Sequence, residues 1–166
     1  MLPTQANLFA GYNAWANRTL YDAAQGLGEA ACRETRPAAY FGSILGTLNH
    51  VLVTDYLWFP RLNGISRSDL KLNQVLFDDL AELRAAREAE DARIIDQVGA
   101  MDETSLAANC AFRDSRGNPW TMPAWQILAT VFNHQTHHRG QAHALIKEAG
   151  AEPPSLDLPV YVRTLT

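Results

Sequence analysis

The chain is poor in the features that staple or anchor a protein. Its two cysteines, Cys32 and Cys110, stand far apart in 166 residues and form no CxxC or CxxxC pair. Neither a disulfide framework nor a thiolate zinc knuckle is therefore indicated. No run of eighteen apolar residues occurs, and the opening MLPTQANLFAGYNAW lacks a basic stretch followed by an apolar core. The sequence thus offers no candidate for a membrane span or a secretory leader. Basic residues are outnumbered, 14 Lys and Arg against 18 Asp and Glu for a net charge of −4, and they form no basic run. A nucleic-acid backbone and an anionic membrane are both poorly matched by such a surface. Internal repeats, low-complexity tracts and an HExxH motif are missing as well. The expectation is a cytoplasmic protein with no nucleic-acid and no membrane partner.

What remains is ordinary globular composition, 47% apolar and 19% charged. The length suits a single domain over residues 1–166, which buries about two-thirds of its unfolded surface without help from metal or disulfide. Apolar residues recur at helical spacing. Leu8, Tyr12, Trp15 and Thr19, with Leu20 and Tyr21, form a first segment that GLGEAA stops. A second covers residues 40–62, with Ser43 as its start signal and Pro60 and Gly64 as its stop, and sets Leu45, Leu48, Leu52 and Phe59 on one face. A third lies within residues 72–98, where Leu76, Leu80, Leu83 and Arg87 keep helical spacing; its charged run DDLAELRAAREAEDAR reads as an exposed face laced by i,i+4 pairs. The fourth begins near Pro123 and ends at about residue 149, before Gly150 and two prolines.

Four helices of about twenty residues, each roughly 30 Å long, give an all-α fold class and a four-helix bundle. The connection between the second and third helices is long. Residues 61–73, extended at about 3.3 Å each, span a bundle end to end, which allows those two helices to run parallel. Residues 102–122 are too many for a structureless loop, and DSRGN between NCAF and PWTM reads as the turn of a short β-hairpin before the fourth helix. Trp15, Trp58, Trp120 and Trp125 are expected to pack in the core.

Four of the five histidines fall within VFNHQTHHRGQAHALI, residues 131–146. At about 100° per residue, His138 lies roughly 40° from His134 and one turn along, so both rings can address one ion. His137 projects to the other side of His134, a less direct alternative, and His143 about half a turn away. Leu145, Gln141, Ile127 and Thr130 project close to His134, so its face also reads as the core-facing stripe. A buried pair there must be hydrogen-bonded or bound, because an unsatisfied buried polar group costs about 1–3 kcal/mol. The remaining histidine, His50, sits mid-way along the second helix, where it can complete a three-nitrogen arc with positions left open. Asn49 and Asn133 each precede one of these histidines and are placed to orient one. The plainer alternative leaves the same histidines satisfied by backbone carbonyls. His137 and His143 read as surface residues, and Arg139 as a solvated or helix-pairing residue, not a catalytic one. No general base is evident, since Asp55 projects about 140° from His50.

YNAWANRTLYDAA, GTLNHVLVTDYLWFPRL and NHQTHHRGQAHALI together resemble the DinB family, including its YfiT-like members, over nearly the whole chain. The most specific element is HxxxHRGQ from His134 to Gln141, combined with the Asn-His pair at 49–50. The resemblance implies a four-helix bundle with an up-down-down-up course. It also implies a divalent metal ion, nickel or zinc, held by three histidines that match His50, His134 and His138. Similar proteins include bacillithiol S-transferases and mycothiol-dependent maleylpyruvate isomerases, while many others have no established activity. The implied function is thiol S-transferase-like chemistry, with a small-molecule thiol and an electrophilic substrate as partners and a homodimer as the assembly. A metal-dependent hydrolase and a non-catalytic metal-binding stress-response protein are the alternatives. Three neutral imidazoles leave the full charge on a metal, enough to make a nucleophile of a thiol or of water, and the residues alone do not choose between them.

Overall fold

Proline is well suited to the first turn of a helix, where its missing N–H would have no partner, and Pro3 opens α1 (Pro3–Leu27). Gly28, at φ 87°, breaks that helix, and a short α2 (Glu29–Arg33) follows. The Ser43 hydroxyl accepts the Gly46 N–H at 3.0 Å and starts α3 (Ile44–Trp58) where the sequence placed a start signal. A 3-10 turn (Phe59–Asn63) continues it across Pro60 until Gly64 turns left-handed at φ 71°. Asp79 caps α4 (Leu80–Gly99) through the Glu82 N–H. Then come α5 (Glu103–Ala107), the strands β1 (Asn109–Arg113) and β2 (Pro119–Pro123), α6 (Ala124–Glu148), α7 (Leu158–Val162) and a last 3-10 turn (Arg163–Leu165). This computed structural model describes residues 1–114 and 116–166.

The fold is thus mostly helical with one small sheet. The expected hairpin is present: β1 and β2 pair antiparallel, from Asn109 opposite Pro123 to Arg113 opposite Pro119. Its turn is closed by the Asp114 carboxylate, which accepts the N–H groups of Arg116 and Asn118. Residue 115 of that turn lies outside the described residues. Among the described residues no helix is long and apolar enough to cross a membrane.

The four long helices pack pairwise, α1 against α4 and α6, and α3 against α6 and α4. One apolar cluster joins Leu20, Leu48, Leu52, Leu83, Leu145 and Ile146. A second joins Ala6, Ala10, Phe59, Ile94, Val98, Leu128 and Val131. Between them along each helix lies a polar layer. Arg87 donates to Asp55 at 2.6 Å and stands 2.9 Å from Asp91, while Asn17 donates to Asp91 at 3.0 Å. Gln135 donates to Asp55 and to the Val51 carbonyl.

That layer corrects one expectation and decides between two readings of another. The charged run on α4 is not simply a solvated face, because Arg87, Glu90 and Asp91 are buried on it. Of the two readings of Arg139 the helix-pairing one holds, since it is 2% exposed and bonds Asn13 and Asn17 of α1. Arg87, Asp91 and Arg139 survive inside because each finds partners on other helices, and Glu90 because it pairs with Arg93 of its own helix. The tryptophans depart from expectation in part, since Trp58 does pack against two apolar clusters. Trp15 and Trp58 are half-buried, whereas Trp120 and Trp125 are exposed.

The third helix starts later than its apolar spacing suggests, and residues 64–79 form an irregular connection. Asn49 explains why. Its side-chain oxygen accepts the N–H groups of Leu76 and Phe77 at 2.8 and 3.0 Å, and its nitrogen donates to the Phe77 and Leu45 carbonyls. These bonds satisfy Leu76 and Phe77 without a helix and tie the connection to the middle of α3.

Candidate metal centre

His50 comes from α3, and His134 and His138 from successive turns of α6. Each offers a ring nitrogen, and these atoms lie within 4.8 Å of one another. The His50 and His134 Nε2 atoms are 3.2 Å apart, and the His138 ring centroid lies 4.4 Å from that of His50 and 4.3 Å from that of His134. The buried stripe of α6 runs through Leu128, Val131, Gln135, Arg139, Ala142 and Ile146. It is centred about 100° from His134. The His134 and His138 face therefore flanks the core instead of facing it, which leaves both rings half-buried beside a cleft.

Two of the rings are held in a definite tautomer. His50 Nδ1 lies 2.7 Å from the Leu72 carbonyl, which can only accept, so the proton sits on Nδ1 and the Nε2 lone pair faces the cluster. His138 Nδ1 is likewise 2.7 Å from the Gln141 side-chain oxygen, and the Gln141 nitrogen is in turn 3.2 Å from His137 Nε2. His134 Nδ1 is buried with no partner among the described residues. Burial, the main cause in each case, lowers the pKa of His50 to about 4 and of His134 to about 3, and lowers that of His138. All three rings are thus neutral at pH 7, the form that binds a metal. Converging neutral nitrogens, two of them oriented by a carbonyl or amide oxygen behind the ring, are positioned to hold a metal ion.

The cleft above them has a volume of about 680 Å³, and Tyr40, Phe41, Leu72, Asn73 and Val75 wall it with the three histidines. Phe41 stacks on His50 with centroids 3.8 Å apart and planes 16° from parallel, and meets His138 edge-on at 5.5 Å. Gly46 permits this cover, because a Cβ there would stand 2.1 Å from the Phe41 carbonyl oxygen. Among the described residues no charged side chain lines the cleft.

The structure brings His50, His134 and His138 together and leaves the other two histidines aside. His137 is exposed, and His143 faces the Pro154 carbonyl at 3.2 Å. Asn49 holds the connection and no histidine directly, and Asn133 is exposed. Asp55 is committed to Arg87 and Gln135 in the polar layer. Sequence reasoning missed Leu72, Gln141 and Phe41. Gln141 was open to detection, standing three residues after His138 on one helix. A backbone carbonyl such as that of Leu72 leaves no signal in the sequence.

A mostly helical fold in which two helices bring three imidazoles to one cleft defines a class of candidate metal-binding helical proteins. The chain belongs to the DinB family, whose model matches residues 1–164. It is 23% identical over 155 residues to Protein DinB of Bacillus subtilis (strain 168), across 91% of this chain and 90% of that protein. A crystal structure of a DinB-like protein from Bacillus cereus ATCC 10987 matches with a TM-score of 0.67 at 18% identity, over 87% of this chain and 90% of that one. At that identity the structural likeness speaks for the fold alone.

Proposed function

We propose that His50, His134 and His138 hold one divalent ion, nickel or zinc, and that the protein is a metal-dependent enzyme joining a small-molecule thiol to a small electrophile. The convergence of three neutral ring nitrogens at the floor of an uncharged cleft carries this reading. A divalent ion in this donor set supplies the charge that makes a thiol or water nucleophilic at neutral pH. The Leu72 carbonyl and the Gln141 amide fix two of the rings, and Phe41 shields the back of His50 from water. Tyr40, Leu72 and Val75 offer an apolar wall to an electrophile. Among the described residues the lining has no carboxylate to take a proton from water, which favours the thiol reading over the hydrolase. The order of apolar, polar and apolar layers along α1, α3, α4 and α6 supports a single bundle domain with an up-down-down-up course. Two free, buried cysteines suit a reducing cytoplasm.

The test is metal content per chain in protein purified without an affinity tag, for the wild type and three variants. About one ion per chain is expected, lost in His50→Ala and His138→Ala and kept in His137→Ala. Low-molecular-weight thiols are then assayed against 1-chloro-2,4-dinitrobenzene, with turnover expected only in the metal-loaded protein. No metal after reconstitution with nickel or zinc would sink the centre. Full metal occupancy without turnover of any thiol would leave a non-catalytic metal-binding protein.

A further inference from the structure

The polar layer divides its charges unevenly. Arg87 takes the carboxylates of Asp55 and Asp91, and Arg93 takes that of Glu90. Arg139 forms no ion pair among the described residues. Its Nη1 meets only amide oxygens, those of Asn13, of Asn17 at 3.2 Å and of Gln135 at 3.4 Å, and its Nε is buried with no partner. A guanidinium this deeply buried gains most from an anion that can approach it.

Space for one adjoins it. A hollow of about 250 Å³ between α1 and α6 and another of about 360 Å³ under the C-terminal segment share the walls Phe9, Tyr12, Thr136 and Arg139. The guanidinium carbon lies 5.4 Å from the centre of the Tyr12 ring. The Tyr12 hydroxyl donates to the Leu156 carbonyl at 2.6 Å and so pins the roof of the second hollow. Tyr161 anchors the same segment over Gly11, where a Cβ would stand 2.2 Å from its hydroxyl oxygen. None of these wall residues lines the histidine cleft.

We propose that this groove is a second ligand site, which takes a small carboxylic acid with an aromatic or apolar body. The carboxylate pairs with Arg139, and the body lies against Phe9 and Tyr12. One buried positive charge matches one negative charge, and Asp157, which also lines the second hollow, repels a dianion such as phosphate about twice as strongly as a monocarboxylate at the same distance. The site is independent of the metal centre and of any reaction there.

Calorimetric titration with 4-bromobenzoate, against uncharged 4-bromobenzamide, tests it in the wild type and in His138→Ala, Thr136→Trp and Arg139→Gln. Thr136 is exposed, so a tryptophan there fills the groove and leaves the polar layer intact. One saturable benzoate site per chain is expected in the wild type and in His138→Ala, with the amide bound roughly tenfold more weakly or less. Thr136→Trp and Arg139→Gln should each lose it, and Thr136→Trp decides if Arg139→Gln does not fold. A soaked crystal should show bromine beside Tyr12. No saturable binding, equal binding of the amide, or loss of binding in His138→Ala would overturn the proposal, the last by assigning the carboxylate to the metal centre.

Discussion

Replacing Asn49 with alanine separates the stability of the α3–α4 connection from the orientation of His50. Asn49 makes three hydrogen bonds to that connection, two accepted from the Leu76 and Phe77 N–H groups and one donated to the Phe77 carbonyl. At about 1 kcal/mol net for each, Asn49→Ala should cost about 3 kcal/mol of unfolding free energy. For a chain of this size that lowers the Tm by roughly 6–12 °C and still leaves a folded protein. Freed from Asn49, the connection no longer holds the Leu72 carbonyl 2.7 Å from His50 Nδ1. Loss of such a partner behind a ligand typically weakens metal binding by about 10–100-fold. Stability is read by urea denaturation in chelator and affinity by competition with a chromogenic chelator, with Asn49→Asp as the control that keeps the acceptor. Undiminished affinity in a destabilised Asn49→Ala would refute the link between the connection and His50. Undiminished stability would refute the clamp itself.

Gln141→Ala should weaken metal binding by about tenfold, because it removes the oxygen that orients His138, and unchanged affinity in the same competition assay would show that the ring needs no such support. Arg87→Leu leaves two buried carboxylates without their cation and should cost about 3–5 kcal/mol, read by denaturation; a loss below about 1 kcal/mol would mean that water reaches Asp55 and Asp91. Burial raises the Asp55 pKa to about 6 against the opposing pull of Arg87, above its value of about 3.9 in an unfolded chain. The folded protein therefore holds this proton more tightly than the unfolded one, so Asp55 contributes stability that is complete below about pH 3.9 and lost as the pH rises through 6. The stability difference between the wild type and Asp55→Asn should shift toward the wild type as pH falls from about 7 to 5, and a difference independent of pH would show that Asp55 stays ionised.

Several elements were legible in the sequence because local chemistry decides them. Ser43 caps α3 through its own hydroxyl, the turn residues around Gly117 make the hairpin, and HxxxH brings His134 and His138 to one side of α6. The interior was harder to read. On α4 the buried positions are 80, 83, 87, 90, 91, 94 and 98, an unbroken helical period. Arg87, Glu90 and Asp91 occupy three of them, so a pattern that scores charge as surface assigns them to water. The burial of Arg87 and Asp91 depends on partners from other helices, Asp55 and Asn17, which no local window contains, while Glu90 pairs with Arg93 three residues on. For Arg139 the sequence left solvation and helix pairing open for the same reason, since the oxygens of Asn13 and Asn17 that receive it stand on α1. The short α2 and α7 lack a periodic apolar face to announce them, being single turns held by contacts with longer elements.

Of the groups around His50, the Leu72 carbonyl is the one that no substitution at its own position removes. A mutation at residue 72 changes a side chain that projects into the cleft, while the oxygen that sets the imidazole stays where Asn49 puts its strand of chain. The tuning of the histidine and the shape of the wall above it are thereby uncoupled, although one residue provides both. Leu72 and Val75 can thus be traded for other residues, reshaping the cleft wall, with the nitrogen beneath them undisturbed.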